Sequence, residues 1–283
     1  MSRAIALNKE TTVLGPRTRR WRVEVKDCAE LAAHHMARLG IETAVYPYCI
    51  VRLQPKGSFF LATLEGEGRV RLEGRWQRVT AGSLCMAPPR VLNALYAPAG
   101  KPWVFAWVLY DEPSWVKPLV GAASPMRVLQ GAAQLGHVIT GFRREWEGER
   151  DPAQVHHWIS LVHGLALRSA RPWQTGSRLG KLWDVVAQEL VTDWKLTSLA
   201  ARGHVSAEHL RRLCLRDLGR TPMEHVGYMR IQRAQKLLET TDLKMEALAA
   251  EVGYHSGDVF TRAFARYVGM TPSEYRAGLM RKP

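Results

Sequence analysis

No run in this sequence approaches the ~20 apolar residues needed to cross a hydrocarbon core, so no membrane span and no membrane partner are expected. Cysteine is scarce. Cys28, Cys49, Cys85 and Cys214 lie far apart with no Cys-x-x-Cys pair, which argues against a zinc ribbon, a redox motif or a disulfide framework. Free thiols in a reducing cytoplasm are the simpler account. The first residues place Arg3 and Lys9 around the short apolar stretch Ala4–Leu7, too brief for the core of a secretion signal. Acidic residues are outnumbered: 26 Asp and Glu against 40 Lys and Arg give a formal net charge of +14. Such a field suits a polyanionic partner. The excess is spread over both parts of the chain, so motifs must locate the site.

The 283 residues suffice for two domains with separate cores. Residues 1–40 are expected to form a basic, solvated arm followed by a helix, with Asp27 as its cap, Leu31, His34, His35 and Leu39 as its stripe, and Gly40 as its stop. From Ile41 the period shortens to two. Phe59–Leu64 predicts a buried strand, Arg69–Glu73 alternates strictly, and Trp76–Val79, Leu84–Met86 and Trp103–Tyr110 follow between turn signals. Short strands at this spacing mean a small β-sandwich or barrel, assigned to 41–115. Residues 111–150 look irregular. Asp151-Pro152 then opens a helix with a stripe at Val155, Trp158-Ile159, Val162 and Leu165-Ala166, within a linker segment placed at 116–177. His156 and His163 share a face of that helix and are expected to be surface or interface residues.

The strongest pattern is a repeat. Ser206 returns as Ser256, Arg212 as Arg262, Gly219 as Gly269, and Thr221-Pro222 as Thr271-Pro272. Each copy follows a short apolar helix, Leu199-Ala200-Ala201 and Leu248-Ala249-Ala250. Tandem helix-turn-helix units are the natural reading of 178–283, with seven helices in all. A helix can lie in the major groove only if one face is clamped by a partner helix while the other offers polar groups. Leu210 and Leu213, and Phe260 and Phe264, are assigned the inner faces. Ser206 and Ser256 suit N-caps; Gly219 and Gly269 suit left-handed C-caps. The outward sets are then Glu208, Arg211 and Arg212, and Asp258, Val259 and Arg262. Arginine can hold guanine by two bonds, a carboxylate can accept from cytosine N4, and valine can pack on a thymine methyl. Double-stranded DNA is the expected partner, entered at successive major grooves ~34 Å apart with some bending of the duplex.

Residues 178–281 resemble the DNA-binding domain of the AraC/XylS family of bacterial transcription regulators. The likeness rests on Leu199-Ala200, Ser206-x-x-x-Leu210-x-Arg212, Leu218-Gly219-x-Thr221-Pro222 and Arg230-x-x-x-Ala234-x-x-Leu237-Leu238. It continues through Ala249-x-x-x-Gly253-Tyr254, Phe260-x-Arg262-x-Phe264, Gly269-x-Thr271-Pro272 and Tyr275-Arg276. The family's base-contacting positions fall on the six outward residues above. Glu208 and Asp258 depart from its commoner neutral choices, and Cys214 stands where phenylalanine is frequent.

The resemblance also implies a cupin-like (jelly-roll) barrel ahead of the DNA-binding domain, an α-helical dimerisation segment, a homodimer, a small-molecule effector such as a sugar, and contact with RNA polymerase. Leu64-x-Gly66-x-Gly68, Gly74-x-Trp76, Gly82, Pro88-Pro89 and Trp103-x-x-x-Trp107 match the barrel. Metal-holding cupins need imidazoles on these strands, whereas no histidine lies between His35 and His137 and the second-motif position holds Asn93. Neither a metal nor another cofactor is expected. Arg52 is similar in position to a family ligand-binding arginine; Tyr96, Phe105 and Trp107, with Trp103, offer aromatic faces; Asn93 joins them as a ligand residue. The resulting reading is a cytoplasmic, effector-controlled regulator and activator of transcription, not an enzyme. The alternatives are a cupin-type enzyme fused to a helical DNA-binding domain, a DNA-repair protein, for which no Pro-Cys-His nucleophile is present, and an architectural DNA binder with an inert barrel.

Overall fold

Alternation of inward and outward side chains builds the first part of the chain into two antiparallel sheets in the computed structural model, which describes residues 10–113, 115–121, 124, 129–130, 133–170 and 178–280. One sheet has the order β1 (Thr11–Leu14), β4 (Tyr48–Arg52), β9 (Asn93–Ala97), β6 (Glu67–Leu72), β7 (Arg75–Thr80). The other runs β11 (Leu129–Gln130), β8 (Ser83–Ala87), β5 (Phe59–Glu65), β10 (Trp103–Tyr110), β3 (Met36–Ala44), β2 (Arg19–Glu24). Ile50, Val70, Leu72 and Leu95 from the first sheet meet Phe59, Leu61, Trp103, Phe105 and Trp107 from the second in one core. The cupin-like fold therefore takes the form of two facing sheets. Each large apolar side chain taken out of water there contributes about 1.5–3 kcal/mol.

The amino-terminal part departs from the sequence reading. Residues expected as a solvated arm supply β1, paired with β4, and β2, paired with β3. The expected helix shrinks to a 3-10 segment, Ala29–His34, closed by His35 at φ 55°; the chain then enters β3. Ladder bonds to β10 and β2 on either side outweigh a helix that only local spacing favoured. Gly40 is no helix stop but a mid-strand close approach: a Cβ there would lie 2.3 Å from the Trp21 carbonyl oxygen. Residues 1–9 and the linker read at Arg171–Gly176 lie outside the described residues.

Residues 133–147, read as irregular, form α1 (Ala133–Glu147). Leu135, Ile139 and Phe142 bury at helical spacing, a stripe interrupted in the sequence by Gly136 and Gly141. Helix α2 (Pro152–Ala170) is as expected, with the Asp151 carboxylate accepting from the Gln154 N–H at 2.9 Å. The His163 ring stacks on His34 at 4.4 Å and approaches the Tyr110 hydroxyl at 3.3 Å, while His156 is exposed. The chain divides into two units, Met1–Val120 with Met126–Ala170, and Gly121–Pro125 with Arg171–Pro283.

The second unit contains seven helices among the described residues: α3 (Arg178–Gln188), α4 (Leu196–Arg202), α5 (Ala207–Asp217), α6 (Pro222–Thr240), α7 (Met245–Glu251), α8 (Gly257–Val268) and α9 (Pro272–Met280). Helix α6 is the hub, packing against α4, α5, α7, α8 and α9. Capping boxes start α6 and recur fifty positions later. The Glu224 carboxylate accepts from Thr221 N–H at 2.9 Å, and the Glu274 carboxylate from Thr271 N–H at 2.7 Å. These reciprocal bonds satisfy orphan donors at a helix start. Among the described residues no helix is long and apolar enough to cross a membrane.

Candidate DNA-binding helices and ligand site

In each helix-turn-helix unit the first helix is short and alanine-rich, so the second can pack close. Leu199 and Ala200 on α4 bury with Leu210 and Cys214 on α5; Leu248 and Ala249 on α7 bury beside α8, whose inner face is Phe260, Phe264 and Val268. Leu213, assigned an inner place, is only half-buried. Cys214 takes that place instead, because the buried positions Leu210, Cys214 and Leu218 recur every four residues.

The turns are equivalent up to one residue. Val205 N–H returns to the Ala200 carbonyl at 3.1 Å and Tyr254 N–H to the Ala249 carbonyl at 2.8 Å, the six-to-one bond of a Schellman turn. The left-handed residue this turn demands is His204 (φ 52°) in the first unit and Gly253 (φ 85°) in the second. Val205 alone then separates that position from the Ser206 cap of α5, whereas Tyr254 and His255 precede the Ser256 cap of α8. The short helices therefore repeat at an offset of 49 and the following helices at 50.

Ser206 Oγ accepts from His209 N–H at 3.2 Å and Ser256 Oγ from Asp258 N–H at 3.3 Å, capping α5 and α8. Gly219 (φ 75°) and Gly269 (φ 91°) take the left-handed conformation. Glu208, Arg211 and Arg212 on α5, and Asp258, Val259 and Arg262 on α8, are all exposed. Their settings differ. Arg212 Nη2 donates to His209 Nδ1 at 2.9 Å, which makes that ring nitrogen the acceptor and steadies the arginine. The residue answering His209 in the second unit is Val259, and Arg262 makes no hydrogen bond or ion pair among the described residues. Sequence reasoning missed His209, exposed Leu215 and Arg216 on α5, and Arg266 on α8, which pairs with Glu224 at 3.4 Å. Spacing of four from Arg212 and Arg262 is the signal that finds Arg216 and Arg266.

Four of the five candidate ligand residues point between the sheets, two from each. Cross-strand pairing sets Arg52 opposite Asn93, and Arg52 Nη1 donates to Asn93 Oδ1 at 3.3 Å. The Arg52 guanidinium also lies 4.8 Å from the centre of the Phe59 ring. Desolvation lowers its pKa, as expected for a cation drawn from water. On β10, Phe105 and Trp107 are buried and point into the same core.

Tyr96 does not join them. Leu95 and Ala97 face the core, so Tyr96, one residue off in a period of two, lies on the opposite face, its ring 5.1 Å from that of Trp76. Two inward polar residues were not anticipated. Buried Glu42, opposite Phe105, accepts from the Tyr48 hydroxyl and from Arg20 Nη2 at 3.0 Å. Burial, and then that carboxylate, raise the tyrosine pKa. Among the described residues no group of three or more His, Cys, Asp or Glu is placed to hold a metal ion.

Comparison with known proteins agrees with both halves. Residues 199–278 match the family model described as a helix-turn-helix domain, and residues 58–182 the model described as an AraC-like ligand binding domain. The chain is 29% identical over 227 residues to the MmsAB operon regulatory protein of Pseudomonas aeruginosa, covering 75% of this chain and 72% of that one. It is 22% identical over 264 residues to the lactose operon transcription activator of Staphylococcus xylosus, covering 86% and 91%. Over 122 residues, 43% of this chain and 42% of the other, it is 35% identical to the RCS-specific HTH-type transcriptional activator RclR of Escherichia coli. The chain belongs to the AraC/XylS family of transcription regulators, with an AraC-like ligand-binding domain followed by a helix-turn-helix DNA-binding domain.

Proposed function

We propose that α5 and α8 read base edges in neighbouring major grooves, through Glu208, Arg211 and Arg212 in one and Asp258, Val259 and Arg262 in the other. The observation that carries this is two serine-capped helices, each with its inner face buried and these side chains exposed. Helix α6 spans 19 residues, about 28 Å at ~1.5 Å per residue, a separation of the order of one turn of DNA. A small organic effector between the sheets, held by Arg52, Asn93, Phe105 and Trp107, sets the DNA affinity. It acts by binding two states of the protein unequally. Tyr96, on the outer face, is left out of this set.

The protein works as a homodimer through the segment 116–177, between a sandwich assigned to 41–115 and a DNA-binding domain assigned to 178–283. It acts in the cytoplasm beside RNA polymerase, with activation as its output and no reaction catalysed. Two relatives bear activator in their names, which supports the direction of control.

The test selects duplexes from a random pool with the full chain, then measures affinity at fixed salt for wild type and Arg262→Ala. A loss of about 1–3 kcal/mol, confined to the preferred sequence, is expected. Unchanged affinity and preference would remove α8 from base reading.

A further inference from the structure

Hydrogen-bond supply and demand between the two sheets is unbalanced, and always toward donors. Asn93 is 4% exposed and Trp107 3% exposed, yet Asn93 Nδ2 and Trp107 Nε1 meet no acceptor among the described residues. A buried donor left without an acceptor destabilises the fold. The nearby side-chain acceptors already receive other donors. Asn93 Oδ1 receives Arg52, the Glu42 carboxylate receives Tyr48 and Arg20, and Thr63 Oγ1 receives the Trp103 indole N–H at 3.2 Å. Charge leans the same way: Glu42 is paired with Arg20, while Arg52 forms no ion pair among the described residues, donating to the Asn93 amide oxygen and lying over the Phe59 ring, with the Glu42 and Glu10 carboxylates acting on it from beyond ion-pair distance.

These groups are neighbours. Arg52 and Asn93 are direct cross-strand partners. Phe59 pairs with Leu109, and Leu61 with Trp107, along β5 and β10, so Trp107 lies diagonal to the ring that Arg52 covers. A polar end rich in N–H groups and positive charge thus adjoins an apolar, aromatic wall.

We propose that the effector is a small monocarboxylate with an apolar or aromatic body, its carboxylate accepting from Arg52 and Asn93 and its body lying against Phe59, Leu109 and Trp107. This rests on the reading that the effector binds between the sheets. An anion supplies only acceptors, which suits donors that meet none among the described residues; a sugar hydroxyl brings a donor of its own.

The full-length protein is titrated with isovalerate, benzoate and phenylacetate, with their uncharged amides, and with arabinose and glucose, reading thermal midpoint and calorimetric Kd. At least one acid is expected to stabilise the protein, with its amide binding about tenfold or more weaker. Arg52→Gln and Asn93→Asp should each weaken the acid by a similar factor. The second variant keeps an acceptor for Arg52 at nearly the same volume and repels an anion, so it remains informative if Arg52→Gln fails to fold. Stabilisation by sugars or amides without the acids overturns the carboxylate assignment while leaving a ligand between the sheets. Acid binding untouched by Asn93→Asp overturns the site, and no response to any acid overturns the proposal outright.

Discussion

Cys214 and Phe264 occupy the same place in the two helix-turn-helix units, fifty positions apart, and both are fully buried at 0% exposure. One fold therefore closes over a thiol in the first unit and over a phenyl ring in the second, where Phe264 also meets Phe260 and Tyr275 edge-on at 5.7 and 5.5 Å.

The smaller plug should make the first unit the looser one. Phe264→Ala is expected to cost about 3–5 kcal/mol and Cys214→Ala about 1 kcal/mol. Native-state hydrogen exchange of α5 and α8 amides measures both. Equal losses in the two variants would mean that plug size does not set local stability.

The turns offer a second asymmetry. His204 holds a left-handed conformation that costs a residue with a Cβ about 1–2 kcal/mol, against the ~0.5–1 kcal/mol that glycine loses in chain entropy. His204→Gly should therefore stabilise the helical unit by roughly 0.5–1 kcal/mol in urea unfolding, since the side chain is exposed. Gly253→Ala should do the reverse and cost more, because its Cβ would meet the Leu190 carbonyl oxygen at 2.6 Å and Arg230 at 3.0 Å. A destabilised His204→Gly would show that the imidazole contributes more than its backbone costs.

Acid should weaken the helical unit through His225. Its ring is fully buried, edge-on to Trp183 at 4.3 Å; burial, and then the Arg220 charge, hold its pKa well below the ordinary 6.5. Folded His225 stays neutral while the unfolded chain takes up a proton. Its contribution is therefore complete above about pH 6.5 and lost as pH falls. The expected difference from His225→Phe is about 1.4 kcal/mol per pH unit below that point, read from urea midpoints at pH 7 and pH 5. Parallel pH profiles for the two proteins would assign the acid sensitivity to other groups.

Much of the DNA-binding half was legible because its signals are local. Caps at Ser206, Ser256, Thr221 and Thr271, glycines at 219 and 269, and apolar spacing of four each act within one or two turns of helix. Strands β5, β6, β7, β8 and β10 were legible for the same reason, since alternation between turn residues needs no distant partner. The 3-10 segment and β3 were not. Leu31, His34, His35 and Leu39 fit a helical stripe, and only distant strands decide against it, Leu39 pairing with Val108 on β10 and Val23 on β2.

What the sequence determined by itself was thus the existence of two helix-turn-helix units, their capped ends and their exposed side chains, because short-range hydrogen bonds and periodicity fix them. Tertiary structure alone decided which residues meet between the sheets. It brought Arg52 to Asn93 across 41 positions, turned Tyr96 away from both, buried Glu42 beside Tyr48, and left two N–H groups between the sheets without acceptors among the described residues. Strand register makes those choices: a shift of one residue sends every side chain to the other face, and register is set by partners that the local sequence does not contain.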